Sequence, residues 1–122
     1  MVDFKNLKVW HRAVDLTLEV YRVIKGFPKE ERFVMVDQLR RSVNSVYACI
    51  AEGCRSGTDG ELIYYLGKSR GSCGETEAHL IVSGKLGYIG DDEVKRLSGE
   101  CDEICRMISG YINHLRKKKD KK

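Results

Sequence analysis

Proline is almost missing from this chain: among its 122 residues Pro28 stands alone. Away from that one corner, nothing removes a backbone donor or fixes φ, so long uninterrupted helices are allowed. Long apolar runs are missing too. No stretch approaches the roughly 20 apolar residues that a membrane-spanning helix needs, and Met1–Lys5 has no apolar core of a signal peptide. The expected location is therefore the cytoplasm. The five cysteines, Cys49, Cys54, Cys73, Cys101 and Cys105, form no CxxC pair and leave an odd one, which argues against a disulfide framework. His11, His79 and His114 lie far apart with no metal-ligand spacing.

Catalytic signatures are also lacking. There is no Walker loop and no dinucleotide fingerprint, and Gly67, Gly71 and Gly74 fit neither spacing. Di-iron helical bundles need Glu-x-x-His pairs, whereas His79 follows Glu75 by four residues and Glu77 by two. Cys49 and His79 would make a nucleophile–base pair only if something activated the thiol, and nothing local does. The expectation is a protein with no enzymatic activity, no cofactor and no metal.

What the chain does have is charge. Its net +4 is concentrated in one place. Arg116–Lys122 holds six of the 22 basic residues and one of the 18 acids, leaving a body of 16 cations and 17 anions. The body, residues 1–115, is nearly neutral, and residues 116–122 form a basic tail. One reading of the tail is a frayed, solubilising helix end, where cations suit the dipole. The other is a contact for nucleic acid or an acidic partner.

Hydrophobic periodicity predicts four helices. The first, over about Leu7–Lys25 with Asn6 as N-cap, has the seam Val9, Ala13, Leu16, Val20, Val23, widened by Trp10, Val14 and Tyr21. Phe27-Pro28 makes a corner, and the second helix is expected over about Glu30–Cys54. The third, capped by Thr58 or Asp59, reads Leu62, Leu66, Ser69, Cys73, Thr76, Leu80, Ser83, where Cys73 acts as a small hydrophobe. Gly67, Gly71 and Gly74 share one face of it. Each interior glycine costs up to about 1 kcal/mol relative to alanine, so either a neighbouring helix backbone comes close by or the helix breaks near Gly71. The fourth helix, capped by Asp91 or Asp92, repeats Val94, Leu97, Cys101, Ile104, Ile108, Tyr111, Leu115. These four segments and their short corners give an all-α, antiparallel up-down-up-down four-helix bundle.

The second helix carries two stripes. Val36, Leu39, Val43, Val46 and Ile50 form an apolar seam, while Gln38, Ser42, Ser45, Cys49 and Glu52 repeat the same steps with small polar groups. That pattern suits a central helix approached on more than one side. Arg41 and Glu52 are eleven residues apart on one face, too far to meet, so each needs a partner from the third helix or a second subunit. Glu75 is the candidate for Arg41. Gln38, Arg41, Ser45, Glu52 and Glu75 are thus assigned to a structural polar network rather than to chemistry.

These blocks resemble the bacterial family of large-subunit ribosomal RNA intervening-sequence proteins. The opening Phe4, Leu7, Val9, Trp10 and the later Val20, Tyr21, Phe27, Pro28 and Glu31 fit its pattern. So do the core block Gln38, Leu39, Arg40, Arg41, Ser45, Ile50, Ala51, Glu52, Gly53, the group Gly71, Ser72, Glu75, and the ending Leu86, Gly87, Tyr88, Ile89. Tyr47 replaces the family's usual proline, Cys49 its asparagine, and Gly74 a larger residue. The resemblance implies a four-helix bundle that assembles into a ring, commonly a homopentamer, encoded within insertions in ribosomal RNA genes. Related bundles, the accessory variability determinants of diversity-generating retroelements, bind a reverse transcriptase and its template RNA. Two functions follow as expectations. One is a homo-oligomeric, non-catalytic adaptor touching RNA through Lys8, Arg12, Lys117, Lys118 and Lys119. The other is a protein-binding scaffold with no nucleic-acid contact. Steep salt dependence would mark the first.

Overall fold

The computed structural model describes residues 2–120 and, for residues 119 and 120, the backbone alone. Helix α1 spans Lys8–Ile24, α2 Met35–Cys54, α3 Asp59–Lys85 and α4 Asp91–Asp120, and the described residues include no strand. Each helix packs on its two neighbours in sequence order around the bundle, with α4 closing back on α1. The up-down-up-down arrangement follows.

The seams lie inward. Leu39, Val43, Val46 and Ile50 of α2 are fully buried, and Val36 nearly so. Every residue of the α3 seam is buried, including Ser69, Cys73, Thr76 and Ser83. In α4, Leu97, Cys101, Ile104, Ile108 and Leu115 face the core, joined by Ile112, while Tyr111 and Val94 are half-buried. Thr17 and Ile24 join the α1 seam, and Val23 turns partly outward. Ile24 rather than Val23 is buried because steps of four from Leu16 and Val20 continue the inward line.

Small side chains on α2 and α3 let the two backbones come close, and their polar atoms satisfy one another. The Ser69 hydroxyl donates to the Val46 carbonyl at 2.6 Å, Thr76 to Ser42 Oγ at 2.9 Å, and Ser72 to Ser45 Oγ at 2.9 Å. Buried hydroxyls without such partners would carry a desolvation cost. The second stripe of α2 is therefore the face that meets α3 of the same chain. Buried Cys49 lies 3.4 Å from Ser45 Oγ in this seam. Gly53 is required here: a Cβ on it would stand 2.8 Å from Tyr65 Cβ and 3.1 Å from Leu62 Cδ1.

The element starts differ in two places from the sequence expectation. Asp3 accepts from the Lys5 N–H and opens a 3-10 turn, Phe4–Asn6, which absorbs Asn6; Leu7 then occupies the N-cap of α1 with no side-chain cap. Between Glu30 and Val34 the chain forms only a 3-10 turn, Lys29–Glu31, and a hydrogen-bonded turn, so α2 starts at Met35. None of Lys29–Val34 is buried, and a helical turn without a buried face has little to support it. The corner is instead fixed by Phe27 against Tyr88, rings 5.3 Å apart, and by the Tyr88 hydroxyl donating to Glu31 at 2.8 Å.

Thr58 caps α3 by accepting from the Glu61 N–H at 3.1 Å, with Asp59 and Glu61 in the favourable first turn. The helix then runs unbroken past its glycines. An added Cβ at Gly67, Gly71 or Gly74 would meet nothing within 4 Å. No helix of this chain approaches that face; the close approaches fall at Gly53 and at Gly84, where a Cβ would lie 2.6 Å from Val94 Cγ2. The helix ends in a left-handed Gly87, φ 83°, with the Tyr88 N–H donating back to the Ser83 carbonyl at 2.9 Å.

Candidate functional site

Because α1 and α4 run antiparallel, the start of α1 and the end of α4 share one end of the bundle with the α2–α3 corner. Lys8, Lys117 and Lys118 are exposed there, as are Lys5 and Arg55. Lys118 Nζ lies 3.8 Å from Asp59 at the start of α3, an exposed ion pair between the end of α4 and the corner. Arg55 stacks over Phe4, 5.3 Å from the ring centroid. Helix α4 remains helical to Asp120 and carries Arg116, Lys117 and Lys118 on its last turns. The side chain of Lys119 lies outside the described residues. Lys5 and Arg55 had no signal in the sequence, because only the turns of the chain bring them beside Lys8.

Arg12 stands apart from this group. Its guanidinium donates to Glu103 at 3.0 Å and Glu100 at 2.8 Å. Those hydrogen bonds raise its pKa further and, with its charge, hold the Glu103 carboxyl below the usual range. A cation held by two carboxylates has little charge left for a phosphate. Its position joins α1 to α4 and belongs to packing, as do Arg22 and Arg96, which share Glu19 and Glu93.

The assigned polar network is partly assembled. Gln38, Arg41 and Ser45 of α2 meet Ser72 and Glu75 of α3 around a shallow polar cavity of about 200 Å³, with Ser42 at its floor. Arg41 is exposed and makes no ion pair among the described residues. Glu75 turns instead to His79 on its own helix, 3.2 Å away, so the expected Arg41–Glu75 pair does not form. Glu52 lies outside the cavity, near Tyr65, whose phenol its charge holds above the usual range. Arg41 and Glu52 are both exposed.

The thiols sit in chemically quiet places. Cys73 donates to the Cys101 carbonyl at 3.3 Å, and the neighbouring Cys101 thiol and burial push its pKa up. Burial and neighbouring Cys73 push Cys105 up to about 12. Thiols held protonated are poor nucleophiles. Among the described residues no group of three or more His, Cys, Asp or Glu is placed to hold a metal ion, and no helix is long and apolar enough to cross a membrane.

At the opposite end of the bundle large apolar side chains are exposed among charged ones, Lys25, Lys29, Glu30, Arg32, Lys85, Asp91 and Asp92. Phe33 is 82% exposed and Val34 60%, beside the end of α3 with Val82 and Leu86 also open to solvent.

The sequence profile of the family described as 23S rRNA-intervening sequence proteins matches residues 5–110. A crystal structure from Bacteroides thetaiotaomicron VPI-5482, of a protein of unknown function from the S23 ribosomal protein family, superposes with a TM-score of 0.79. It is 23% identical, and the match covers 85% of this chain and 97% of that one, which shows a shared fold. No curated protein matches the chain.

Proposed function

Because the chain belongs to the family of 23S rRNA-intervening sequence proteins, we propose that it is a non-catalytic, homo-oligomeric adaptor that binds RNA through the basic end of its bundle. The gathering of Lys5, Lys8, Arg55, Lys117 and Lys118 at that end supports the reading. Cations clustered on a rigid surface neutralise phosphates without reading sequence. One such end is a weak site; several copies held together raise the effective concentration and bind with avidity. The opposite end, where Phe33, Val34 and Leu86 are exposed, is the surface through which copies associate. Five subunits is the number that the family resemblance implies.

RNA binding measured across salt concentrations tests this. Affinity should fall steeply between low and physiological salt. Lys117→Ala with Lys118→Ala should reduce the salt slope by about 0.7 for each phosphate that is no longer neutralised. An affinity indifferent to salt would reject the basic end as the RNA-binding surface.

A second reading rests on Phe33, whose exposure is large for an aromatic residue. Here the end that carries Phe33 docks a protein, the resemblance pointing to a reverse transcriptase, and RNA is not touched. Complex formation of that kind should hardly respond to salt.

A further inference from the structure

Tyr64 is the second exposed aromatic side chain that packing does not explain. It is 61% exposed on the outer face of α3, five residues after Asp59. That places it about 7.5 Å along the helix and about 140° around it from the residue that meets Lys118, on another face of the same end of the bundle. Its ring is held in place from one side. Tyr64 meets Tyr65 edge-on, ring centroids 5.2 Å apart at 74°. Tyr65 is anchored in turn, since its Cβ lies where a side chain at Gly53 would stand. Lys68, one turn further on, places Nζ 5.7 Å from both ring centroids. Beyond the rings the helix is bare: Gly60 on one side, and Gly67 and Gly71 on the other, leave open space where a Cβ would be.

A fixed aromatic face, an adjacent cation and a flat approach are what an unpaired base and its phosphate need together. Aromatic stacking holds any base by its π-face, and the cation follows the backbone. A duplex offers no free face, because its bases are stacked on each other. On α3 Tyr64 is flanked by Tyr65, Lys68, exposed Glu61 and glycines, and the bare glycine backbone leaves room for a base to lie on the ring. We propose that Tyr64 and Lys68 form a stacking platform for an unpaired base of single-stranded RNA, extending the basic end of the bundle along α3. This rests on the RNA-binding reading above, and adds the form of RNA taken and the residue that selects it.

The test compares the full chain and its variants for binding to a labelled oligoadenylate and to the same strand annealed with oligouridylate, at one fixed salt concentration. The wild-type protein should prefer the single strand. Tyr64→Ala should weaken single-strand binding by about five- to 150-fold, the range for loss of one stacked base, and leave duplex binding unchanged. Tyr64→Phe keeps the ring and should keep the affinity, which separates stacking from any fault in folding. If Tyr64→Ala binds oligoadenylate as tightly as the wild type, the platform is wrong while the RNA-binding reading stands. Equal weakening of both ligands, or loss with Tyr64→Phe as well, also overturns stacking. Wild-type protein that binds neither ligand overturns the platform and the RNA-binding reading together.

Discussion

Arg41 stands at the rim of a polar cavity, exposed to solvent and without an ion pair among the described residues. A solvated charge incurs no large desolvation penalty, so the cost of about 3–5 kcal/mol for stripping one partner from a buried pair does not apply. Arg41→Ala should change the stability of the isolated chain by no more than about 0.5 kcal/mol, seen as an almost unchanged Tm in thermal unfolding. A fall of many degrees would mean that something outside this chain covers it. The glycines behave in opposite ways according to what faces them. At Gly53 an alanine must displace Tyr65 and Leu62. Overpacking of that kind costs about 1–3 kcal/mol, more than the gain of up to about 1 kcal/mol in helix propensity. At Gly71 nothing stands in the way, and the same propensity gain should appear whole. Denaturant melts of Gly53→Ala and Gly71→Ala should therefore shift in opposite directions.

At the scale of elements, most of the bundle was legible because burial follows a three-four rhythm that the sequence prints directly. Leu62, Leu66, Ser69, Cys73, Thr76, Leu80 and Ser83 read as one line and are one buried line. The polar members of that line read correctly because small hydroxyls fit where two backbones meet. Helix starts were less legible, since the burial that supports a turn depends on a partner the local sequence does not name. Residues 30–34 have helix-forming composition and no face against the core. Ion pairs between helices were not legible at all, because their partners lie far apart in sequence: Arg12 with Glu100 and Glu103, and Glu19 with Arg96. These pairs join α1 to α4 and make a pH prediction. Hydrogen bonds from Arg22 hold Glu19 and Glu93 below the usual carboxylate range, helped by Arg96, and Arg12 does the same for Glu103. A carboxylate with a depressed folded pKa stabilises above its unfolded value of about 4.3, and that contribution is lost as pH falls through the folded value. Thermal unfolding should be level from neutral pH down to about 4.5 and decline below it. Glu19→Gln with Glu93→Gln should flatten the decline, and the sites are exposed enough for salt to weaken it.

On the scale of the whole molecule, the two ends of the bundle differ in their exposed apolar groups. Phe33, Val34, Val82 and Leu86 stand among charged residues where α2 begins and α3 finishes, whereas Lys5, Lys8, Arg55, Lys117 and Lys118 are exposed where α1 begins and α4 finishes. In the function proposed above one end gathers copies while the other presents charge, and a single substitution tests that arrangement. Phe33 is 82% exposed, so Phe33→Asp should alter the fold of a single chain by less than about 0.5 kcal/mol, with circular dichroism unchanged. If copies associate through this end, the buried carboxylate is costly, and native mass spectrometry should show a smaller assembly than the wild type. RNA affinity should then drop although no basic residue has been touched, because each released subunit keeps its own weak site and loses the effective concentration of its neighbours. An unchanged mass would place the subunit interface elsewhere. A reduced mass with unchanged RNA affinity would show that the basic end binds without help from its copies.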